Sequence, residues 1–169
     1  MRALRSVAIS AGLAATMFGA HEGWAQARQS KPGESSASLQ ETQTWLKDQL
    51  IANGGWTNAD RTVVTYRPLE FASCTVSVAD QGPDGVGKVT VPLGDLDPNQ
   101  IKAEQAPVGE EFAVLLRTKA GRESIRMEQA SHRIYMLSGS NLIFRDRSIA
   151  DRVAVAIAHA ATLCAKQPF

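Results

Sequence analysis

Residues 148–164 read SIADRVAVAIAHAATLC. Ala150, Val153, Ala154, Ile157, Ala161 and Cys164 fall on one stripe at helical spacing, the pattern of a helix laid on a core. The stripe ends in one of the chain's two cysteines. The other, Cys74, lies in FASCTVSV (71–78). There the period is two: Ala72, Cys74, Val76 and Val78 share one side, and Ser73, Thr75 and Ser77 the other. That alternation predicts a strand with Cys74 facing inward. Two inward cysteines predict a structural disulfide that staples the last helix to an early strand, 90 residues apart. A redox or metal role lacks its usual signs. There is no C-x-x-C, and beyond the leader only His132 and His159 could join the cysteines.

A disulfide implies an oxidising compartment, and the N-terminus agrees. Arg2 and Arg5 precede an uncharged run, Val7 to Ala20, and Ala25-Gln26-Ala27 is a small-x-small cleavage site. This is the pattern of a secretory signal peptide over residues 1–27, with a mature chain from Arg28. The run is shorter than the roughly 20 apolar residues a membrane span needs, and no cysteine follows it to carry a lipid anchor. No later segment reads as a span. The expectation is a soluble chain that is periplasmic or secreted and not membrane-spanning.

The whole chain has 18 Lys and Arg against 17 Asp and Glu. Removing Arg2, Arg5 and Glu22 with the leader leaves 16 of each sign. A neutral domain argues against a general nucleic-acid binder. Residues 34–110 carry five basic and eleven acidic side chains, and residues 111–169 nine basic and five acidic.

Residues 28–37, RQSKPGESSA, form a polar leader. Ser38 and Glu41 make a capping box before a first helix with Leu39, Trp45, Leu46 and Leu50, and Asn53-Gly54-Gly55 stops it. The period then becomes two. RTVVTY (61–66) and LEFASCTVSVAD (69–80) read as strands joined at Arg67-Pro68, and DQGPDGVGK (80–88) as a turn. KVTVPL (88–93) and IKAEQAP (101–107) follow as strands around the GDLDPN turn. EFAVLLRTKAGRESIRM (111–127) reads as a hairpin turning at Lys119-Ala120-Gly121. HRIYML (132–137) and NLIFRD (141–146) are two more strands, and Ser148 to Asp151 is a second capping box. Helix, about seven short strands, helix, without strand–helix alternation, predicts an α+β domain over 38–169: a bent antiparallel sheet closed by the last helix.

Three stretches, VPLGDLDPNQIKAE, VLLRTKAGRESIRM and LIFRDRSIADRVAVAIAHAATLC, resemble the pleckstrin-homology-like (PH-like) superfold seen in small exported bacterial proteins. The likeness spans about residues 56 to 165. It implies a seven-stranded bent barrel with a C-terminal helix in one open end. The last helix has no tryptophan, and the RPLE link holds one basic residue. The phosphoinositide binding of some members is therefore not implied here.

Catalytic motifs are lacking. GPDGVG (82–87) is not G-x-G-x-x-G, and there is no Walker sequence, H-E-x-x-H or G-x-S-x-G. His132 and His159 have no evident orienting acid, and His159 reads as a surface residue. Asp95 and Asp97 fit turn bonding better than a calcium cage of 6–8 oxygens. No cofactor or metal is expected. The candidate ligand face is arginine-rich: Arg117, Arg122, Arg126, Arg133 and Arg145 lie on neighbouring strands and could meet phosphate or carboxylate if register allows. Trp56 and Tyr66 could line a groove, though core packing explains Tyr66 equally well, and Trp45 could dock the first helix or be an exposed partner site. The reading is a non-catalytic module that binds an envelope protein or peptide, along a sheet edge or in a groove beside the last helix. Its rivals are recognition of an anionic envelope ligand by the arginine face, and an enzyme built around His132 or His159.

Overall fold

A computed structural model describes residues 37–58, 60–82, 85–107 and 109–166. The expected signal peptide, and the leader up to residue 36, lie outside the described residues. Among those described there are two α-helices and nine strands, rather than about seven strands. They are α1 (Leu39–Asn53), β1 (Gly55–Thr57), β2 (Val63–Ala72), β3 (Thr75–Gly82), β4 (Gly85–Pro92), β5 (Lys102–Gln105), β6 (Phe112–Arg117), β7 (Ile125–Glu128), β8 (Ile134–Leu137), β9 (Gly139–Phe144) and α2 (Arg147–Ala165). All pairing is antiparallel. One sheet runs β1-β2-β3-β4-β7-β8 and the other β5-β6-β9.

The capping box opens α1 as expected: Glu41 N–H donates to Ser38 Oγ at 3.2 Å, and Ser38 N–H to Glu41 Oε2 at 2.8 Å. Leu46 and Leu50 are buried. Gly54 ends the helix where a side chain cannot fit, because a Cβ would stand 2.6 Å from both Leu50 O and Tyr66 Cδ2.

LEFASCTVSVAD is not one strand. It folds back on itself at Ser73-Cys74, with Ala72 opposite Thr75. Ser73 has φ 48° and Cys74 φ 62°. Positive φ at both central residues is the demand of a tight two-residue hairpin whose twist matches its strands. Cys74 therefore sits in a turn rather than on a strand face. The period-two pattern ran straight through the reversal because Ser73 and Cys74 continued it by composition alone. The proline junction is also different. Arg67 and Pro68 lie within β2, and a register shift between Pro68 and Glu70 absorbs the imino acid. The expected turn at 80–88 is mostly strand, with Gly82 opposite Gly85; residues 83 and 84 lie outside the described residues.

The expected hairpin at 111–127 is corrected too. β6 and β7 do not pair with each other. β6 pairs with β9 and β7 with β8, so 112–144 is one long ribbon that passes from the small sheet into the large one. The bend is the excursion 118–124. Thr118 is buried and holds it: Oγ1 donates to Arg122 O at 2.6 Å and lies 3.0 Å from Ser138 O. Lys119 Nζ reaches Gly94 O at 2.6 Å, and Arg122 reaches Asp95 at 3.4 Å. At the other corner a bridge between Gly54 and Phe144 joins the sheets again.

α2 begins at Asp146, whose side chain accepts from Ile149 N–H at 2.9 Å, so Ser148 is not its cap. By length and composition α2 could cross a membrane. Its seven buried residues, from Ala150 to Cys164, belong to the domain core with Leu46, Leu93, Val114, Ile125 and Phe144. Cys164 is bonded to Cys74, Cα to Cα 5.5 Å. Cys74 O accepts from Leu93 N–H at 2.8 Å, and Gly94 packs beside Cys164.

Two stability predictions follow from this packing. Replacing both cysteines by serine frees a 90-residue loop, whose chain-entropy value is about 4–5 kcal/mol. Urea unfolding is expected to show a loss of about 2–4 kcal/mol, since native disulfides deliver less than the ideal. Tyr66 supplies the second. Burial raises its pKa to about 12, although its hydroxyl accepts from the Ile143 N–H at 3.0 Å. A folded-state pKa above the unfolded value of about 10 gives stability that is complete below pH 10 and is lost as pH rises towards 12. Tyr66→Phe should cost about 1–2 kcal/mol at pH 8 by orphaning that N–H, and should flatten the decline in stability between about pH 10 and 12 in chemical denaturation.

Candidate binding edge

The five arginines do not form one face. Arg117 and Arg145 stand at opposite ends of the β6–β9 ladder, since Arg117 pairs with Gly139 while Arg145 lies beyond Phe144, the partner of Phe112. Six residue steps along the strand, from Gly139 to Arg145, separate them by about 20 Å. Arg122 is held by Asp95 at 3.4 Å, and Arg126 by Glu128 at 3.3 Å. The structure does bring Arg117 and Arg133 to the two ends of one strand, β8. Arg133 immediately precedes it. Arg117 crosses from β6 over Gly139, just after it, where Arg117 Nη1 occupies the space a Cβ would need. Neither arginine is in an ion pair among the described residues.

β8 is the end strand of the six-stranded sheet. The ladder register shows which of its backbone groups are used. Gln129 N–H donates to Arg133 O at 2.9 Å, and bonded pairs in an antiparallel ladder recur at every second residue. Met127 with Tyr135 and Ile125 with Leu137 are therefore the bonded pairs. Ile134 and Met136 aim their N–H and C=O away from β7. Their side chains share a face with the Arg126–Glu128 pair and are 53% and 46% exposed, and Tyr135 on the other face is 38% exposed. Natural edge strands are commonly blunted by lysine, proline or a bulge. Ile134-Tyr135-Met136-Leu137 has none of these.

The histidines lie apart. His132, at φ 61° in the β7–β8 turn, is highly exposed with Nδ1 3.7 Å from Glu128. His159 is half-buried, not a plain surface residue, and its Nε2 lies 2.8 Å from Ala37 O at the entrance to α1. An open groove of about 250 Å³ runs between α1 and β2, lined by Thr44, Lys47, Asp48, Pro68, Leu69 and Phe71. It lies beside the first helix, not the last, and neither histidine lines it. Asp97 makes a turn cap, accepting from Asn99 N–H at 3.0 Å, and Asp95 belongs to Arg122. Among the described residues no three His, Cys, Asp or Glu gather as metal ligands. Trp56 bonds Asn58 through its indole N–H at 2.9 Å and packs 5.9 Å from Tyr66. Trp45 sits under Arg152 at 5.8 Å. All three aromatics serve packing within the domain.

No protein-family model, curated protein or solved structure matches the chain.

Sequence reading located β8 as a strand but not as an edge. The available sign was four successive apolar residues with no polar alternation, a run that also suits a strand buried on both faces. Amide hydrogen exchange should separate the two. Tyr135 and Leu137 N–H are expected to be protected, while Ile134 and Met136 exchange at least about tenfold faster. Uniform protection along 134–137 would contradict a free edge.

Proposed function

We propose that this chain is an exported, non-catalytic binding module that engages an envelope protein or peptide by adding it as a strand along β8. The observation that carries the reading is the exposed, unblunted edge at Ile134 and Met136. Main-chain donors and acceptors there supply affinity to any extended chain, and the flanking side chains supply selectivity. Export rests on the signal-like residues 1–27 and on the Cys74–Cys164 bond. The PH-like architecture belongs to the same proposal. Antiparallel sheets of six and three strands under a C-terminal helix support it; nine strands and a leading helix depart from the expected pattern. Recognition of an anion by all five arginines has less support, because two of them are already paired.

Site-specific photocross-linking in the native cells tests the reading. A photoreactive residue at position 136 should trap a discrete envelope adduct. The same group at exposed Val155 on α2 should not. No adduct at 136, or the same adduct from both positions, would overturn strand addition at β8.

A further inference from the structure

We infer that the strand received by β8 is an apolar segment flanked by acidic residues, carried by another protein. This rests on the edge reading above and specifies its partner. The apolar part follows from Ile134 and Met136, whose side chains are about half exposed on one face beside the added strand. The acidic part follows from the ends. Arg133 precedes the edge and Arg117 covers Gly139 at its far end, and both are without carboxylate partners among the described residues. On this ribbon Glu128, opposite Ile134, is engaged by Arg126 at 3.3 Å and faces His132 at 3.7 Å. A four-residue edge, Ile134–Leu137, thus presents positive charge at both ends and apolar surface between them.

Two other occupants fit less well. The chain's own residues 28–36, RQSKPGESS, contain no large apolar side chain and bring Arg28 and Lys31. A second copy would pair antiparallel, Ile134 to Met136, so that outward backbone groups meet. That register sets Arg133 of each copy against the Arg117 end of the other, where like charges repel. A strand with Glu or Asp at both ends meets neither obstacle.

Two labelled peptides test the inference by fluorescence anisotropy with the oxidised mature protein at low salt. The acidic probe is Glu-Val-Thr-Val-Thr-Val-Glu, and the basic one replaces both glutamates with lysine. The acidic probe is expected to bind about tenfold more tightly, two exposed charge pairs being worth up to that much, and the gap should shrink in 0.5 M salt. Met136→Pro should abolish binding of the acidic probe; its outward N–H makes no ladder bond, so the ladder to β7 is kept. Arg117→Glu with Arg133→Glu, which leaves the edge itself intact, should reverse the preference. Equal binding of both peptides, lost in Met136→Pro, would overturn the acidic partner and leave the edge reading standing. No binding of either peptide would overturn both. A dimer in sedimentation that Met136→Pro dissolves would overturn the partner in favour of a second copy.

Discussion

The bond between Cys74 and Cys164 is the constraint on which the rest of the domain hangs. It joins the two-residue reversal between β2 and β3 to the last turn of the terminal helix. Neither Ser73 nor Cys74 is at ease there. A left-handed backbone costs a non-glycine residue roughly 1–2 kcal/mol, and both have φ near 50–60°. Such conformations persist where the surroundings over-determine them. Here the covalent bond, the β2–β3 ladder below the turn and the Leu93 N–H on Cys74 O all hold the same point. Fixing that point seats α2, and α2 adds its buried stripe, Ala150 to Cys164, to the core that residues of both sheets share.

The second organising feature is the long ribbon. Strands β6 and β9 turn one face into the core: Val114, Leu116, Leu142 and Phe144 are buried in the small sheet. Past Thr118 and Ser138 the same two chains emerge into the large sheet as β7 and β8. The bend is fastened by Lys119 and Arg122 to the 94–95 turn, which itself abuts Cys164. The disulfide, the turn and the ribbon's bend are thus one connected patch. From it β8 continues as the end strand of the large sheet.

Much of this was legible in the sequence. The capping box of α1, the helical stripe of α2, the strand character of most period-two segments and the cysteine partnership express local periodicity or simple chemistry, and they survive in the structure. Pairing was not legible. The run from Phe112 to Met127 looks like a hairpin because alternation, a Lys-Ala-Gly turn and alternation again are its local signs. The structure uses the interruption as a bend and takes both partners from residues further on. Cys74 illustrates the same limit. Its neighbours keep strand alternation on either side, and nothing in Ser-Cys announces a reversal that Asn-Gly would have announced. The arginines failed as a face for a related reason: five like charges on adjacent strands reveal nothing of register, and two had carboxylates waiting across a turn or two residues along a strand. The β8 edge was invisible because a strand's lack of a second neighbour is a property of the whole sheet.

Peptide mapping of the protein purified from its native cells under non-reducing conditions, with alkylation of any free thiol, tests the central constraint most directly. The structure requires one cross-linked peptide pair containing Cys74 and Cys164 and no alkylated cysteine in the folded protein. Two alkylated cysteines in the folded protein would contradict it, and would remove the anchor that places the β2–β3 turn under the last helix.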